Sequence, residues 1–377
     1  MERKKIKVLH FSIANSGGGI TKYALRIWNA IDKNRFQFDF ATMSKSLDFA
    51  QELEEQGCKI HYISTYSEQD ILKFEEEINK VFDYGYDIVH LHTSWWRGFA
   101  VEKIAKKRGV SKVIVHAHNT DVHIPIGMTR EEARILHNSW QKKVTPYIAT
   151  DFWACAGNAA EWLYGENIPE EQIKIIPNAI ELEKFYFNQS VRIRYRNEMN
   201  LQKQFVVGMI ARFQYQKNHE FAIEFFEKFN NKVPNSILLL IGIGELKSEI
   251  EILVRKYHLE SKVRFLGLRD DVQNLLQAMD LFILPSRFEA LAQTFVEAQA
   301  SGLKCITSEF APEESKITNN LVRLPLDIDL WLEGALKWEA GYVREDTKKI
   351  MREKGFDIKY QIKEIEKLYA NNLEVVN

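Results

Sequence analysis

Short apolar runs alternate with longer amphipathic segments almost from end to end of the chain, and this alternation restricts the fold more than any other feature. The runs KVLHFSI, FQFDFAT, KIHYI, DIVHLH, KVIVHAH and DFWACA read as buried parallel strands. Helix-period segments lie between them, among them ITKYALRIWNAI, FAQELEEQG and EQDILKFEEEINKVF. Strands buried on both faces need helices on both sides, so the pattern predicts a doubly wound α/β sheet. A second series follows: FVVGMIAR, SILLLIG, VRFLG, DLFILPS and KCITSE. Between the two series, KIIPNAIELEKFYFNQ has little periodicity and reads as a linker. A length of 377 residues exceeds what one core usually supports. The expectation is two Rossmann-like domains in tandem, residues 1–176 and 177–355, with a final helical segment at 356–377. Two such domains facing each other make a cleft at the carboxyl ends of both sheets, so chemistry is expected in the loops that follow strands.

Composition narrows the function. The formal net charge is -1, so no global field draws in nucleic acid or anionic lipid. Cys58, Cys155 and Cys305 are far apart without ligand spacing, which favours a reducing compartment over a disulfide framework. The N-terminal MERKKIKVLHFSI is basic and then apolar over only a strand's length, so it reads as a first strand and not a signal peptide. No stretch approaches the roughly 20 apolar residues of a membrane span. The expected location is cytoplasmic, with any membrane contact peripheral.

Several loops carry candidate chemistry. SGGGIT, residues 16–21, follows the first strand and opens a helix. Its glycines let the backbone approach a ligand, and the helix N-terminus offers N–H groups and positive potential; a tight strand-to-helix turn is the plainer reading. ARFQYQKN, residues 211–218, presents Arg212 and Lys217 from one loop. Two cations suit a pyrophosphate, although two solvated loop charges would look the same. In VIVHAHNTDVH, residues 113–123, His116 and His118 are read as pointing to opposite faces of a strand. With His123 they raise a metal site, but no carboxylate or cysteine falls at ligand spacing and one histidine of the alternating pair is read as facing away, so no metal is assigned. His118, nearest the strand's carboxyl end, is the better functional candidate. The DID of residues 327–329 reads as a helix N-cap before LWLEGALKW. Lys103, Lys106, Lys107 and Arg108 make a basic helix face, more simply solvated than bound to anionic lipid.

RFEALAQTFVEAQASG, residues 287–302, is apolar apart from Arg287, Glu289, Glu297 and small polar residues. Glu289 falls in the turn after DLFILPS and Glu297 about two helical turns further on. Leu291, Ala292 and Gln293 would place backbone N–H groups at a helix N-terminus, where anions bind. A carboxylate accepts two hydrogen bonds in defined geometry, which suits sugar or ribose hydroxyls. Surface glutamates on an amphipathic helix are the alternative, made harder by Phe288, Leu291, Phe295, Val296, Ala298 and Ala300 around them.

Together these residues resemble the retaining GT-B glycosyltransferases of family 4. Glu289 and Glu297 are similar to that family's E-x7-E motif, Arg212 and Lys217 to its R-x4-K motif, and Gly18-Gly19 to its N-terminal glycine loop. IIPNAIELEKF resembles its interdomain segment. QFDF, HAHNT and LPSRFEALAQTFVEAQASGLKCITSE resemble the branch that assembles bacterial capsule and exopolysaccharide. The resemblance implies that Glu297 holds the nucleotide ribose, that Glu289 and His118 lie beside the donor sugar, and that Arg212 and Lys217 bind the diphosphate. It places Gly19 near the donor phosphates or the acceptor, the base near Leu268 and Arg269, and the last helix back on the first domain. It implies a metal-independent enzyme that uses a nucleotide sugar, a UDP-sugar, and a saccharide or lipid-linked oligosaccharide acceptor, with no cofactor. Ala290 and Ala292 stand where this branch often has Gly and Pro, and Thr21 where many relatives have Glu after the glycine loop. Two other readings stay open at this point: a UDP-sugar epimerase on the same fold, and a catalytically silent partner of another transferase.

Overall fold

The computed structural model describes residues 5–15, 19–122, 127–371 and 373. It forms two compact units, Met1–Ala179 with Ile358–Asn377, and Ile180–Asp357. Both are parallel α/β sheets with helices between the strands, the two-domain Rossmann-like architecture of the GT-B fold.

In the first unit the strands are β1 (Ile6–Ile13), β2 (Phe36–Thr42), β3 (Ile60–Tyr62), β4 (Ile88–Thr93), β5 (Lys112–Ala117), β6 (Asp151–Ala154) and β7 (Ile173–Ile175), in the order β3-β2-β1-β4-β5-β6-β7. The chain starts in the middle, runs outward through β2 and β3, and returns to the other side of β1 with β4. That reversal leaves a switch point between β1 and β4, where open α/β sheets receive ligands. The stretch read as a linker opens with β7, which pairs with β6 from Phe152↔Ile173. Three residues that are mostly exposed carry no strand pattern of their own, and the open edge of β6 supplies their partners. The final helix, Ile358–Ala370, belongs to this unit. Its buried Ile358, Ile362, Ile365 and Tyr369 recur at three- and four-residue steps, one stripe of a helix. The stripe joins Val8, Ile27, Trp28, Phe36, Phe38 and Trp153 in one core.

The second unit orders its strands β10-β9-β8-β11-β12-β13. They are β8 (Phe205–Ile210), β9 (Ser236–Ile241), β10 (Val263–Gly267), β11 (Leu281–Leu284), β12 (Lys304–Ser308) and β13 (Leu321–Leu324). The same reversal puts a switch point between β8 and β11. Phe221, Phe225, Phe226 and Phe229 of the helix His219–Lys232 are buried, as is Trp331 of the helix Ile328–Leu336. Asp327 caps that second helix by accepting from the Leu330 amide at 3.0 Å. No helix among the described residues is long and apolar enough to cross a membrane.

Candidate active site

The loops after β8 and β11 meet at the switch point of the second unit. Arg212 follows β8, and Lys217 ends the short 3-10 turn Tyr215–Lys217. Glu289 lies in the loop after β11, and the Lys217 ammonium pairs directly with its Oε1. The same carboxylate oxygen accepts from the Ser286 hydroxyl at 2.6 Å. Backbone contacts fasten the two loops together. The Arg287 amide donates to the Gln216 carbonyl at 2.8 Å, and the Gln216 side chain donates to the Phe288 carbonyl at 3.0 Å. Arg287 also donates to the Tyr215 carbonyl at 2.6 Å and to Glu220 at 2.8 Å. Glu289 is 4% exposed and Glu297 5%, so neither is the solvated glutamate of an amphipathic helix. A buried carboxylate needs a charge partner or strong donors, and Glu289 has both in Lys217 and Ser286.

The helix after this loop begins later than the apolar run suggests. It spans Gln293–Ala300, with Ala292 at its N-cap and no side-chain cap. Leu291 therefore precedes the helix and Gln293 opens it. The alanine side chain cannot accept from the first-turn amides. Burial lowers the pKa of Arg212, against a weaker opposing effect of Glu245.

The sequence reading missed the loop after β9 that supports Arg212. Gly242 has φ +143, and a side chain there would put Cβ 2.0 Å from the Ala211 carbonyl oxygen. The Phe213 amide donates to the Ile243 carbonyl at 3.0 Å, and the Leu246 amide to the Phe213 carbonyl at 3.0 Å. The glycines of SILLLIGIGE were the available signal, since only a bare backbone can pass so close to Ala211. Ser286 gave none, because a serine after a strand is common in any turn.

Arg269 is occupied differently. Its guanidinium forks onto Asp271 at 2.8 and 2.6 Å, and Asp271 also accepts from Tyr195 at 2.9 Å. Leu268 beside it is 74% exposed, an apolar surface free to cover a planar ring.

Gly19 and His118 belong to the first unit. Gly18 lies outside the described residues. Gly19 starts the helix Gly19–Ala30, and a Cβ there would meet nothing within 4 Å, so the space beside it is open. Thr21 is buried and turned onto the preceding loop: its hydroxyl donates to the Ala14 carbonyl at 2.9 Å and accepts from the Ala14 amide at 3.0 Å.

The strand histidines correct the sequence reading. His116 and His118 do not point to opposite faces. They are two residues apart, and strand side chains repeat every second residue, so they share a face with ring centroids 4.0 Å apart. His90 and His92 of β4 and His10 of β1 join them through the register His10↔His90 and His92↔His116. Of the two grounds on which a metal was set aside, the one that a histidine of the pair faces away therefore fails. Ligand atoms of His92, His116 and His118, and likewise of His10, His90 and His92, lie within 4.8 Å of one another. His123 lies outside the described residues. The imidazoles bond to each other, however, with His92 Nδ1 3.0 Å from His118 Nε2 and His92 Nε2 2.8 Å from His10 Nδ1. Burial holds His10 and His118 down to about 3, so the rings are neutral.

The arrangement in the second unit can hold a polyanion between cations and a helix N-terminus, with buried carboxylates beside it to accept hydroxyl donors. Residues 17–184 match the Glycosyltransferase Family 4 family and residues 191–324 the Glycosyl transferases group 1 family. The chain belongs to the GT-B glycosyltransferases. It is 28% identical to EpsF of Bacillus subtilis (strain 168), a glycosyltransferase by name, over 99% of each chain. It is 25% identical to the UDP-Gal:alpha-D-GlcNAc-diphosphoundecaprenol alpha-1,3-galactosyltransferase of Escherichia coli, over 97% of each. The fold of this glycosyltransferase matches that of Anabaena HepE in complex with UDP and glucose, with a TM-score of 0.72, 18% identity, and coverage of 99% of this chain and 100% of that one.

Proposed function

We propose that this glycosyltransferase moves a sugar from a UDP-sugar to a lipid-linked saccharide, with retention of configuration and without a metal, in the assembly of a bacterial surface polysaccharide. The observation that carries the proposal is the ion pair of Lys217 and Glu289 at the switch point, in the loop that leads to the helix N-terminus at Gln293. The names of the Escherichia coli relative and of the HepE complex support UDP as the nucleotide, and the first supports a diphosphoundecaprenol-linked acceptor.

The charges explain the division of work. Glycosyl transfer breaks the bond between the anomeric carbon and the diphosphate, and negative charge grows on the departing phosphate oxygen. Once the diphosphate is bound, Arg212, Lys217 and the helix end at Gln293 answer that charge as it grows. In the unliganded chain Lys217 is neutralised by Glu289. An arriving diphosphate competes for the ammonium, and the carboxylate of Glu289 becomes available to a donor-sugar hydroxyl. Ser286 keeps one oxygen of Glu289 in place through the exchange. Glu297 accepts from the ribose hydroxyls, Leu268 and Arg269 flank the base, and Gly18 and Gly19 give the phosphates or the acceptor close backbone approach. The acceptor hydroxyl attacks from the side the diphosphate leaves, and the leaving oxygen takes its proton. The reaction takes place at the cytoplasmic face of the membrane, with peripheral contact.

The test is a thermal-shift screen of the full chain with UDP, other nucleoside diphosphates and a UDP-sugar panel, each with and without a metal chelator. A ligand held only by the native state raises the melting point by mass action. Stabilisation by UDP in chelator, lost in Glu297→Ala, is expected. Equal response to all nucleotides, or a response that needs a divalent metal, would refute the reading. Product analysis without acceptor separates transfer from epimerisation.

A further inference from the structure

His92, His116 and His118 lie at the carboxyl ends of β4 and β5, and each offers a ring nitrogen within 4.8 Å of the others. The leaving-group chemistry of the second unit does not use them. His92 Nδ1 and His118 Nε2 are 3.0 Å apart. His116 Nδ1 is engaged by His90 Nε2 at 3.1 Å, but His116 Nε2 is buried with no hydrogen-bond partner among the described residues. Tyr23 is 0% exposed and packs its ring 5.3 Å from those of His116 and His118 and 5.9 Å from that of His92. Its hydroxyl also has no partner among the described residues. Buried polar atoms nearly always have partners, so a ring nitrogen and a hydroxyl left over at one place ask for a ligand.

The chemistry of the group favours a metal ion. Neutral imidazole is a ligand and imidazolium is not. Burial keeps all three rings neutral, holding His118 at about 3 and His92 and His116 well below the ordinary histidine range. The lack of a carboxylate or cysteine at ligand spacing is no bar, since three histidines and a water make a complete zinc set. Ligating histidines are held by a partner on the other ring nitrogen. His92 Nε2 has His10 Nδ1 at 2.8 Å, and His118 has beside it Asn178, whose Oδ1 is itself without a partner among the described residues. Tetrahedral zinc, with Zn–N of about 2.0–2.1 Å, spaces its nitrogens about 3.3 Å apart, so His92 and His118 need to part by only a few tenths of an ångström. His10, His90 and His92 also bring ring nitrogens within 4.8 Å, but those are taken up by one another, by His116 and by Tyr369.

We propose that His92, His116 and His118 bind one divalent transition-metal ion of the zinc class in the first unit, with water as the fourth ligand. Entry is from the His118 side, the one ring of the three that is partly exposed. The ion ties the end of β4 to that of β5 and fixes the ring of His118. Without it the rings hydrogen-bond to one another, so the ion adds to a fold that forms in its absence. The site does not rest on the transferase reading.

The experiment uses the full chain, stripped with chelator and dialysed, near neutral pH and without donor or acceptor. Cobalt(II) is titrated as a visible probe, and zinc is then added in competition. One equivalent of cobalt with the intense bands of tetrahedral coordination is expected, displaced by zinc, together with a melting temperature that rises with zinc. His118→Gln should lose both responses while its circular dichroism matches wild type. Absence of a tetrahedral spectrum in the wild-type chain would overturn the proposal and leave the unpartnered atoms to ordinary water. A tetrahedral spectrum unchanged in His118→Gln would also overturn it, because the ion then sits elsewhere. If that variant does not fold, X-ray absorption of the zinc-loaded wild-type chain decides: three imidazole ligands are expected, and fewer would overturn the proposal. No nucleotide or sugar is present, so failure here leaves the transferase reading untouched, and UDP binding in chelator is a separate result.

Discussion

Lowering the pH from 7.5 to 5.5 should strip most of the stability from the first unit while its carboxylates are still ionised. His10, His90 and His116 are 0% exposed and His92 6%, and burial is the largest cause of the lowered pKa of each. In the unfolded chain each returns to an ordinary pKa near 6.5. A group whose folded pKa is depressed contributes fully above its unfolded pKa and loses that contribution as the pH falls toward its folded pKa. The window therefore opens near pH 6.5 and extends toward pH 3, the value reached by His10. At pH 5.5 the unfolded chain binds nearly one proton per histidine and the folded chain binds none. The loss is roughly 1.4 kcal/mol for each and about 5 kcal/mol for the four together. The sum needs no correction for coupling between the rings, because the protons bind in the unfolded state, where the four are independent. A loss of that size is comparable to the whole stability of many domains. Urea unfolding followed by tryptophan fluorescence reads it well, since Trp28, Trp95, Trp96, Trp140, Trp153 and Trp162 all lie in this unit. The midpoint should fall by on the order of 2 M urea between the two pH values. A change below about 0.5 M would show that the folded histidines take up protons too, and would refute the buried neutral cluster.

Lys217→Met alone leaves the buried Glu289 without its cation and should cost up to about 3 kcal/mol of stability, whereas the pair Lys217→Met/Glu289→Gln should recover most of it. Both should lose on the order of 100-fold or more in transfer rate, and retention of wild-type turnover by either would remove Lys217 from the chemistry. Gly242→Ala forces a Cβ to 2.0 Å from the Ala211 oxygen at a φ that L-residues rarely adopt. It should cost about 1–3 kcal/mol in thermal unfolding and weaken nucleotide binding through Arg212; a wild-type melt would refute the close approach. Asp121 is 0% exposed and accepts from Arg134 at 2.8 Å as well as from Arg130 and the Val122 amide. Asp121→Ala should lower stability by about 1–3 kcal/mol without changing the rate of transfer, and a loss of activity in the folded variant would place that loop in the site.

Much of this was legible in the chain. Strands buried on both faces must be apolar throughout, so every central strand showed in the sequence. Of the edge strands, β3 and β10 showed as KIHYI and VRFLG, but β7 and β13 did not: β7 is mostly exposed and β13 partly so, and such strands exist because a neighbour offers an open edge. The Arg212–Lys217 and Glu289–Glu297 spacings pointed to two loops that the structure brings together, because a loop that follows a strand carries its residues to the sheet's carboxyl end. The start of the helix at Gln293 was not legible, since Leu291 and Ala292 suit a helix as well as the turn they occupy.

The sequence by itself determined two alternating α/β series and which of their loops carry charge. The rest is a matter of partners, which strand order and register decide. Lys217 and Glu289 are 72 residues apart and meet only because β8 and β11 are neighbours at a reversal of strand order. His10, His90 and His116 come from three strands, and Tyr369 from a helix at the far end of the chain. No spacing rule connects them, and the rings become one hydrogen-bonded run only when β1, β4 and β5 lie side by side and the last helix closes over them.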